Sequence, residues 1–276
     1  MLHVTTLMDN IGSENQMLVN LHGLSFLVEY NGTRILFDTS SSPVLLENAK
    51  RTNTNLHGLD YTVLSHNHWD HTAGFPYLVE QGVNPGKLIV GNGFFDSKYA
   101  LDGFKYTYLS GGFDQEYIGD HGIEIITVQK QMQIAKGLYA VSGFPRIHEI
   151  ETIPKRFVKK TSRGIIPDNF EDEICLVIET SKGLVVLLGC SHPGILNMLS
   201  HINNIFKQPI YGIFGGSHLM EADENRINTT INIIKEMNVH VIGLSHCSGQ
   251  KVEDILRKSN DIICCHMKTG DELFLD

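Results

Sequence analysis

Four side chains of the metal-binding types lie within six positions of one another: His66, His68, Asp70 and His71. They directly follow an apolar, β-prone run at residues 61–64. In an extended segment, residues two apart point to the same side, so His66 and His68 can bind one cation together. Asp70 and His71 come where the chain turns and can face a second cation nearby. Imidazole with carboxylate suits Zn²⁺, Fe²⁺ or Mn²⁺ better than Ca²⁺, and the clustering favours a metal site over a solvated turn.

A related pattern occurs four times along the chain. An apolar strand runs into a small residue and then a histidine, at His66, His192, His218 and His246. In α/β sheets, ligands bind beyond the carboxyl ends of the strands, and small residues there let other groups approach the backbone. We therefore predict that His192 and His246 are further metal ligands. His218 is a candidate ligand, substrate contact or proton carrier.

The amino-acid composition limits which classes of function are possible. The 276 residues are 42% hydrophobic and 19% charged, which is ordinary for a globular protein with a core. A net charge of −9 argues against a nucleic-acid partner but allows a small anionic substrate in a local basic pocket. The five cysteines include no C-x-x-C pair, and neither a signal peptide nor an apolar run of about 18 residues is evident. These features predict a cytoplasmic protein with no membrane partner, and they leave its oligomeric state open.

The elements that must position these residues are strands in the first part of the chain. Asn31-Gly32 predicts a hairpin turn, and Pro43 favours a helix that begins there and ends near Arg51. Asp38, at the end of the second hairpin strand, is either a turn residue or a residue that orients a metal-binding histidine. The last hundred residues alternate strand and helix, which predicts an α/β sandwich with its helices outside. No clear linker is present, so we expect one domain over residues 1–276.

Residues 143–173 differ in character from the rest. The first of these residues are of turn-forming types, and a basic cluster and then an acidic cluster follow. The basic cluster consists of Lys155, Arg156, Lys159, Lys160 and Arg163, and the acidic cluster of Asp168, Glu171, Asp172 and Glu173. The charges form either a solvated face or a substrate-covering segment whose Arg and Lys hold an anionic group.

The motif His66-x-His68-x-Asp70-His71, followed by Thr-Ala-Gly, resembles the signature of the metallo-β-lactamase superfamily. The resemblance implies an αββα sandwich of two mixed sheets flanked by helices. It also implies two divalent metal ions, Zn²⁺ first and Fe or Mn as alternatives. One ion would be held by His66, His68 and His192, and the other by Asp70, His71 and His246.

The chain departs from that superfamily at two motifs. It has no Gly-His-Thr-x-Gly sequence in its middle region, and Gly189-Cys190-Ser191 stands where a bridging Asp is expected. Cys190 is either a thiolate ligand or a small buried apolar residue.

A set of further motifs resembles the branch of the superfamily named for a dihydropterin ribofuranosylaminobenzene phosphate synthase of methanopterin biosynthesis. The motifs are His22-Gly-Leu-Ser, Ile35-Leu-Phe-Asp-Thr, Gly189-Cys-Ser-His-Pro-Gly, Gly215-Gly-Ser-His-Leu and His246-Cys-Ser-Gly. Gly143-Phe-Pro-Arg146 resembles another element of that branch. The resemblance implies that His22 and Arg146 contact the substrate, which would be phosphorylated or pterin-like.

These observations together predict a metal-dependent hydrolase. A water shared by two cations has its pKa lowered toward about 7, and the metal-bound hydroxide would attack an ester or phosphoester bond of a small anionic substrate. Asp70 would steer that hydroxide as well as bind metal, with His218 as a second catalytic candidate. The alternatives are a transferase that joins a pterin diphosphate to an aminobenzene ribofuranose phosphate, and a non-catalytic, metal-holding sensor.

Overall fold

The computed structural model describes residues 1–162, 164–259 and 261–276. The strands, in chain order, are β1 (Leu2–Met8), β2 (Ser25–Tyr30), β3 (Thr33–Phe37), β4 (Tyr61–Val63), β5 (Lys87–Gly91), β6 (Ser97–Asp102), β7 (Lys105–Tyr108), β8 (Ile125–Val128), β9 (Gln131–Ala135), β10 (Leu138–Val141), β11 (Phe157–Thr161), β12 (Gly164–Pro167), β13 (Cys175–Thr180), β14 (Gly183–Leu188), β15 (Ile210–Gly215), β16 (Val241–Leu244), β17 (Ile263–His266) and β18 (Glu272–Leu275). The helices are α1 (Val44–Arg51), α2 (Trp69–Thr72), α3 (Phe75–Glu80), α4 (Gln115–Asp120), α5 (Ile195–Phe206), α6 (Glu224–Glu236) and α7 (Gln250–Arg257).

Two mixed sheets form the centre of the fold. The first has the order β18-β1-β2-β3-β4-β5-β8, and the second has the order β17-β16-β15-β14-β13-β10-β9. One apolar cluster joins residues of both sheets, among them Phe26 and Phe214. A second cluster packs α5, α6 and α7 on the second sheet, and a third packs α1 and α3 on the first. The predicted αββα sandwich is therefore confirmed.

Strand β14 shows how the sequence produces this layering. All of its last five residues, Leu184–Leu188, are buried. Leu184, Val186 and Leu188 face the helix-covered cluster, whereas Val185 and Leu187 face the cluster between the sheets. A strand that is buried on both faces needs a continuous apolar run rather than an alternating one. The strand accordingly lies in the middle of its sheet.

The predicted local elements agree with the structure at several points. Asn31 and Gly32 both have positive φ, 50° and 83°, and join β2 to β3 as the two-residue turn that this dipeptide favours. Helix α1 begins one residue after Pro43 and ends at Arg51, as predicted, and β18 lies at the edge of its sheet. Strands β9 and β17 were not predicted. Among the described residues, no helix is long and apolar enough to cross a membrane.

Residues 143–173 contain more regular structure than predicted. Strands β11 and β12 lie in this segment and form a third sheet of order β12-β11-β6-β7, in which Phe157 pairs with Ala100. This partner strand lies far back in the chain, so no local pattern reveals it. The solvated-face interpretation is wrong for Asp168, Asp172 and Glu173, which are all buried. Arg163 of the predicted basic cluster lies outside the described residues.

Candidate metal centre

Three of the predicted ligands meet where β4 and β14 end. His66 and His68 follow β4, and His192 follows β14. The His192 ring centroid lies 4.8 Å from that of His66 and 4.9 Å from that of His68. One ring nitrogen of each residue lies within 4.8 Å of those of the other two. The structure therefore brings together His66, His68 and His192, which we call the three-histidine group.

The ring nitrogens of this group suit a metal ion. Nε2 of His66, Nε2 of His68 and both ring nitrogens of His192 are buried and have no hydrogen-bond partner among the described residues. Leaving a buried polar atom unpaired costs about 1–3 kcal/mol. Burial also holds the pKa of each of these histidines well below its usual value, so each imidazole is neutral with a free lone pair. The donor set fits Zn²⁺ or a similar divalent cation.

A second group of donors surrounds Asp70. Nε2 of His22 and Nε2 of His246 each lie 3.1 Å from Asp70 Oδ2. Burial by itself would raise the pKa of Asp70, but the charge of His71 and hydrogen bonds from His22 and His246 hold it well below the usual value. We call His22, Asp70 and His246 the Asp70 group. His22, predicted from the resemblance as a substrate contact, thus lies at ligand distance from Asp70 and His246.

His71 lies between these two groups. Its Nε2 is 4.0 Å from Asp70 Oδ2 and 3.1 Å from Cys190 Sγ. Its Nδ1 donates a hydrogen bond of 2.6 Å to Asp38, whose other contacts are the backbone N–H and hydroxyl of Ser65. Burial lowers the pKa of His71, but Asp38 and Asp70 outweigh it and raise the pKa. Asp38 therefore orients His71, as the second of its two predicted roles requires, and metal binding by His71 stays a prediction.

Cys190 is buried, and its sulfur lies close to candidate metal ligands. Its Sγ belongs to one group of donor atoms with His66 and His71, and to another with His218 and Cys247. The ring of His218 lies 4.2 Å from that of His192, and neither of its ring nitrogens has a hydrogen-bond partner in the described part of the chain. Cys247 was not singled out in the sequence, although it directly follows His246 in the fourth strand-end motif.

Close backbone approaches at these strand ends explain the small residues there. A Cβ on Gly189 would lie 2.2 Å from Ser65 Oγ, and one on Gly216 would lie 2.4 Å from the Gly189 carbonyl oxygen. Ser191, His218 and His246 have φ of 61°, 49° and 51°, a region that non-glycine residues rarely occupy. Such strain is concentrated at functional sites, where surrounding structure maintains it.

A buried cluster of charged side chains packs against the three-histidine group. Lys98 Nζ lies 2.8 Å from Asp168 Oδ2 and 2.7 Å from Asp172 Oδ1. The other oxygen of Asp172 accepts the N–H of Asn67, between His66 and His68. Lys98 Nζ also lies 4.3 Å above the ring of Phe170. That ring stacks on His192 at 3.9 Å. No local pattern in the sequence predicts that Lys98 is buried.

A pocket opens above these groups, with the third sheet as one wall. Its lining includes Trp69, Arg156, Phe157 and His218 as well as several of the candidate metal ligands. Arg156 lies over the Phe157 ring and pairs with Glu221. Arg146, predicted as a substrate contact, is not part of this lining. Its guanidinium instead donates to backbone carbonyls of Pro193 and Asn169. Among the described residues of the segment, Arg156 is thus the cation that faces the pocket.

Comparisons with known proteins agree with this geometry. The family model described as the metallo-beta-lactamase superfamily matches residues 19–137. The 7,8-dihydropterin-6-methyl-4-(beta-D-ribofuranosyl)-aminobenzene-5'-phosphate synthase of Methanocaldococcus jannaschii is 34% identical over 269 residues, with 92% of this chain and 90% of that protein covered.

Solved structures show the same fold. The crystal structure of Tm1679, described as a metal-dependent hydrolase of the beta-lactamase superfamily, has 26% identity and a TM-score of 0.85, with 100% of this chain and 99% of that chain covered. A diphosphatase of the PhnP family has 13% identity and a TM-score of 0.54, with 100% of this chain and 98% of that chain covered. At that identity the second likeness shows the fold alone.

Proposed function

Because the chain belongs to the metallo-β-lactamase superfamily, we propose that it is a metal-dependent hydrolase acting on an ester or phosphoester bond of a small anionic substrate. One observation carries the proposal. Three buried, neutral histidines present ring nitrogens that have no partner among the described residues, and two of them, His68 and His192, line a pocket together with Asp70. Such an arrangement is suited to binding a divalent cation within reach of a substrate. The hydrolase named among the solved structures supports the same reaction class.

We assign the first metal ion to His66, His68 and His192. The second is assigned to Asp70 and His246, completed by His71 or by His22, and Zn²⁺ is the expected ion with Fe or Mn as alternatives. When bound, divalent ions supply Lewis-acid polarisation of a substrate oxygen. The fit of the second set rests on Asp70 Oδ2, which lies 3.1 Å from Nε2 of His246 and of His22.

The side chains around these ligands have separate tasks in the proposal. Asp70, whose pKa is held low, stays ionised and orients the attacking water by accepting its hydrogen bond. His218 lies on the pocket wall, and neither of its ring nitrogens has a partner among the described residues, so in a chain where it holds no metal ion we assign it proton transfer to the leaving group. Arg156 binds the anionic group of the substrate, in place of Arg146. In the proposal, residues 143–173 cover the substrate as part of one domain spanning the chain.

The first test is metal content on protein purified without chelator, compared between the wild type and His246→Ala. We expect the variant to hold one ion per chain fewer than the wild type. His57→Ala is the matched control, because His57 is exposed and lies outside the pocket lining. Phosphoesters, carboxylic esters and lactones are then assayed with the metal-loaded protein. Two bound ions with no turnover of any ester would contradict the hydrolase and favour a metal-holding sensor.

A second candidate function is favoured by one comparison. The chain is 34% identical to a synthase over nearly its whole length. The alternative is a transferase that joins a pterin diphosphate to an aminobenzene ribofuranose phosphate, using the same residues. Release of diphosphate that requires both substrates would support the transferase, whereas release from the pterin diphosphate alone would support hydrolysis.

A further inference from the structure

A third group of donor atoms lies at the floor of the pocket, beside the two groups assigned above. Sγ of Cys190, Sγ of Cys247 and a ring nitrogen of His218 all lie within 4.8 Å of one another. The three residues follow β14, β16 and β15, which are neighbours in the parallel part of the second sheet. Hydrogen bonding between these strands fixes how far apart their ends can lie. The group is therefore held by the core of the fold rather than by mobile loops.

Local contacts bring the sulfur of Cys247 against His218. The backbone N–H of His218 donates to Cys247 Sγ at 3.2 Å, and that sulfur lies 3.5 Å from the carbonyl oxygen of Cys190. A Cβ on Gly216 would lie 2.6 Å from Cys247 Sγ, so only glycine leaves room for the sulfur. His218 itself has a φ of 49°. The strained backbone of His218 and the required glycine at position 216 both indicate that the close approach of Cys247 Sγ to this backbone has a functional role.

The donors of this group are buried and incompletely paired. The two cysteines are 3% and 4% exposed, and neither ring nitrogen of His218 has a partner among the residues described. A cation bound there would be held by the two sulfurs as thiolates, which are the metal-binding form of cysteine.

We propose that Cys190, His218 and Cys247 form a third, thiolate-rich site that binds one thiophilic divalent cation, with a remaining position open to the pocket. Two sulfurs and one imidazole form a donor set that Zn²⁺ accepts, and thiolates disfavour Mg²⁺, Ca²⁺ and Mn²⁺. All three residues line the pocket, so a small molecule in it could reach the open position. The site does not depend on which reaction the protein catalyses, since it is defined by metal binding alone.

The test uses the full chain, stripped of metal and titrated with Co²⁺. Cobalt bound by thiolate gives charge-transfer absorption in the near ultraviolet, which cobalt bound only by histidine and carboxylate lacks. We expect this band in the wild type, and we expect Cys190→Ser and Cys247→Ser each to lower its intensity by about half, since each removes one of two thiolate ligands. Cys264→Ser is the matched control and leaves the band unchanged, because Cys264 lies on β17 outside the pocket lining.

A second measurement needs no variant. Wild-type protein is alkylated with iodoacetamide with and without Cd²⁺, and the modified cysteines are located by mass spectrometry. We expect Cd²⁺ to protect Cys190 and Cys247 and to leave the modification of Cys264 and Cys265 unchanged. Cobalt binding without a charge-transfer band would overturn the site. So would a band that Cys190→Ser removes and Cys247→Ser leaves intact, since Cys190 would then belong to the ion beside His71.

Discussion

The two histidine-containing groups at the pocket floor differ in how their polar atoms are satisfied. In the three-histidine group, four ring nitrogens are buried without a hydrogen-bond partner among the described residues. In the Asp70 group, the carboxylate already accepts contacts of 3.1 Å from both histidines, and His22 is half exposed. One group therefore needs an outside ligand to satisfy its donors, whereas the other is satisfied within the protein.

This difference suggests an order of occupation. A buried group of neutral imidazoles gains most from a cation, because binding removes the cost of several unpaired polar atoms at once. At the Asp70 group, a cation must replace hydrogen bonds that already exist. We therefore expect the three-histidine group to bind the first ion more tightly and the Asp70 group to bind the second more weakly.

The two groups are also held by different parts of the chain. The three-histidine group rests on the buried cluster of Lys98, Asp168 and Asp172. The Asp70 group rests on Asp9, whose Oδ2 accepts the N–H of His246 at 2.7 Å and whose Oδ1 lies 2.8 Å from His266 Nε2. The supports share no residue, so each can be altered separately.

The largest expected effect comes from His192→Ala, which removes a ligand of the tighter site. A bound cation supplies several kcal/mol of transition-state stabilisation, so we expect turnover to fall by about a thousandfold or more. His22→Ala, at the exposed edge of the weaker site, should cost about tenfold at saturating metal. Steady-state rates on the same substrate measure both. Equal losses in the two variants would remove the proposed distinction between the groups.

The support of the three-histidine group is tested by Lys98→Met, which leaves Asp168 and Asp172 buried without their cation. Breaking a buried ion pair by removing one partner costs about 3–5 kcal/mol, and the free energy of unfolding in urea should fall by that amount. Lys87→Met is the matched control. Lys87 forms an exposed pair with Glu124, worth less than about 1 kcal/mol. A loss at Lys98 no larger than at Lys87 would show that the cluster does not support the fold.

Two conservative variants, Asp9→Asn and Ser65→Ala, test whether the two groups have separate supporting residues. Residues that orient metal ligands typically contribute about 10–100-fold to metal affinity. Asp9→Asn should therefore weaken the second ion and spare the first, because Asp9 holds the backbone of His246. Ser65→Ala should weaken the first, because the Ser65 hydroxyl lies 2.9 Å from His66 Nδ1. Stepwise Zn²⁺ titration by calorimetry separates the two affinities. A shift of the same ion in both variants would contradict separate supports.

Much of this arrangement could be predicted from the sequence, for a physical reason. His192, His218 and His246 follow β14, β15 and β16, which are neighbouring parallel strands, so their carboxyl ends must lie side by side. His66 follows β4 of the other sheet, and its meeting with them depends in addition on how the two sheets pack.

The supporting residues could not be predicted in this way. Lys98 and Asp172 are distant in sequence, and each alone looks like an ordinary surface charge. Their burial depends on β11 pairing with β6, which no short window of sequence reveals. The same pairing brings Arg156 and Phe157 to the pocket, whereas Arg146, in a turn before β11, is held by backbone carbonyls. Local patterns thus predicted which candidate ligands lie close together, and long-range pairing determined what surrounds them.

The smallest expected effect is the change of Zn²⁺ affinity with pH. Burial holds the pKa values of His66, His68 and His192 well below 6.5, so all three remain neutral at that pH and metal binding displaces no proton from them. In His246→Ala, which retains the three-histidine group, Zn²⁺ affinity should change by less than about threefold between about pH 7.5 and 6.5. A synthetic peptide spanning residues 61–74 is the control, because its histidines titrate near pH 6.5 and its affinity should fall steadily over that range. An equally steep fall in the folded variant would mean that its histidines are as easily protonated as exposed ones, and the proposed preference of the first ion for this group would lose its basis.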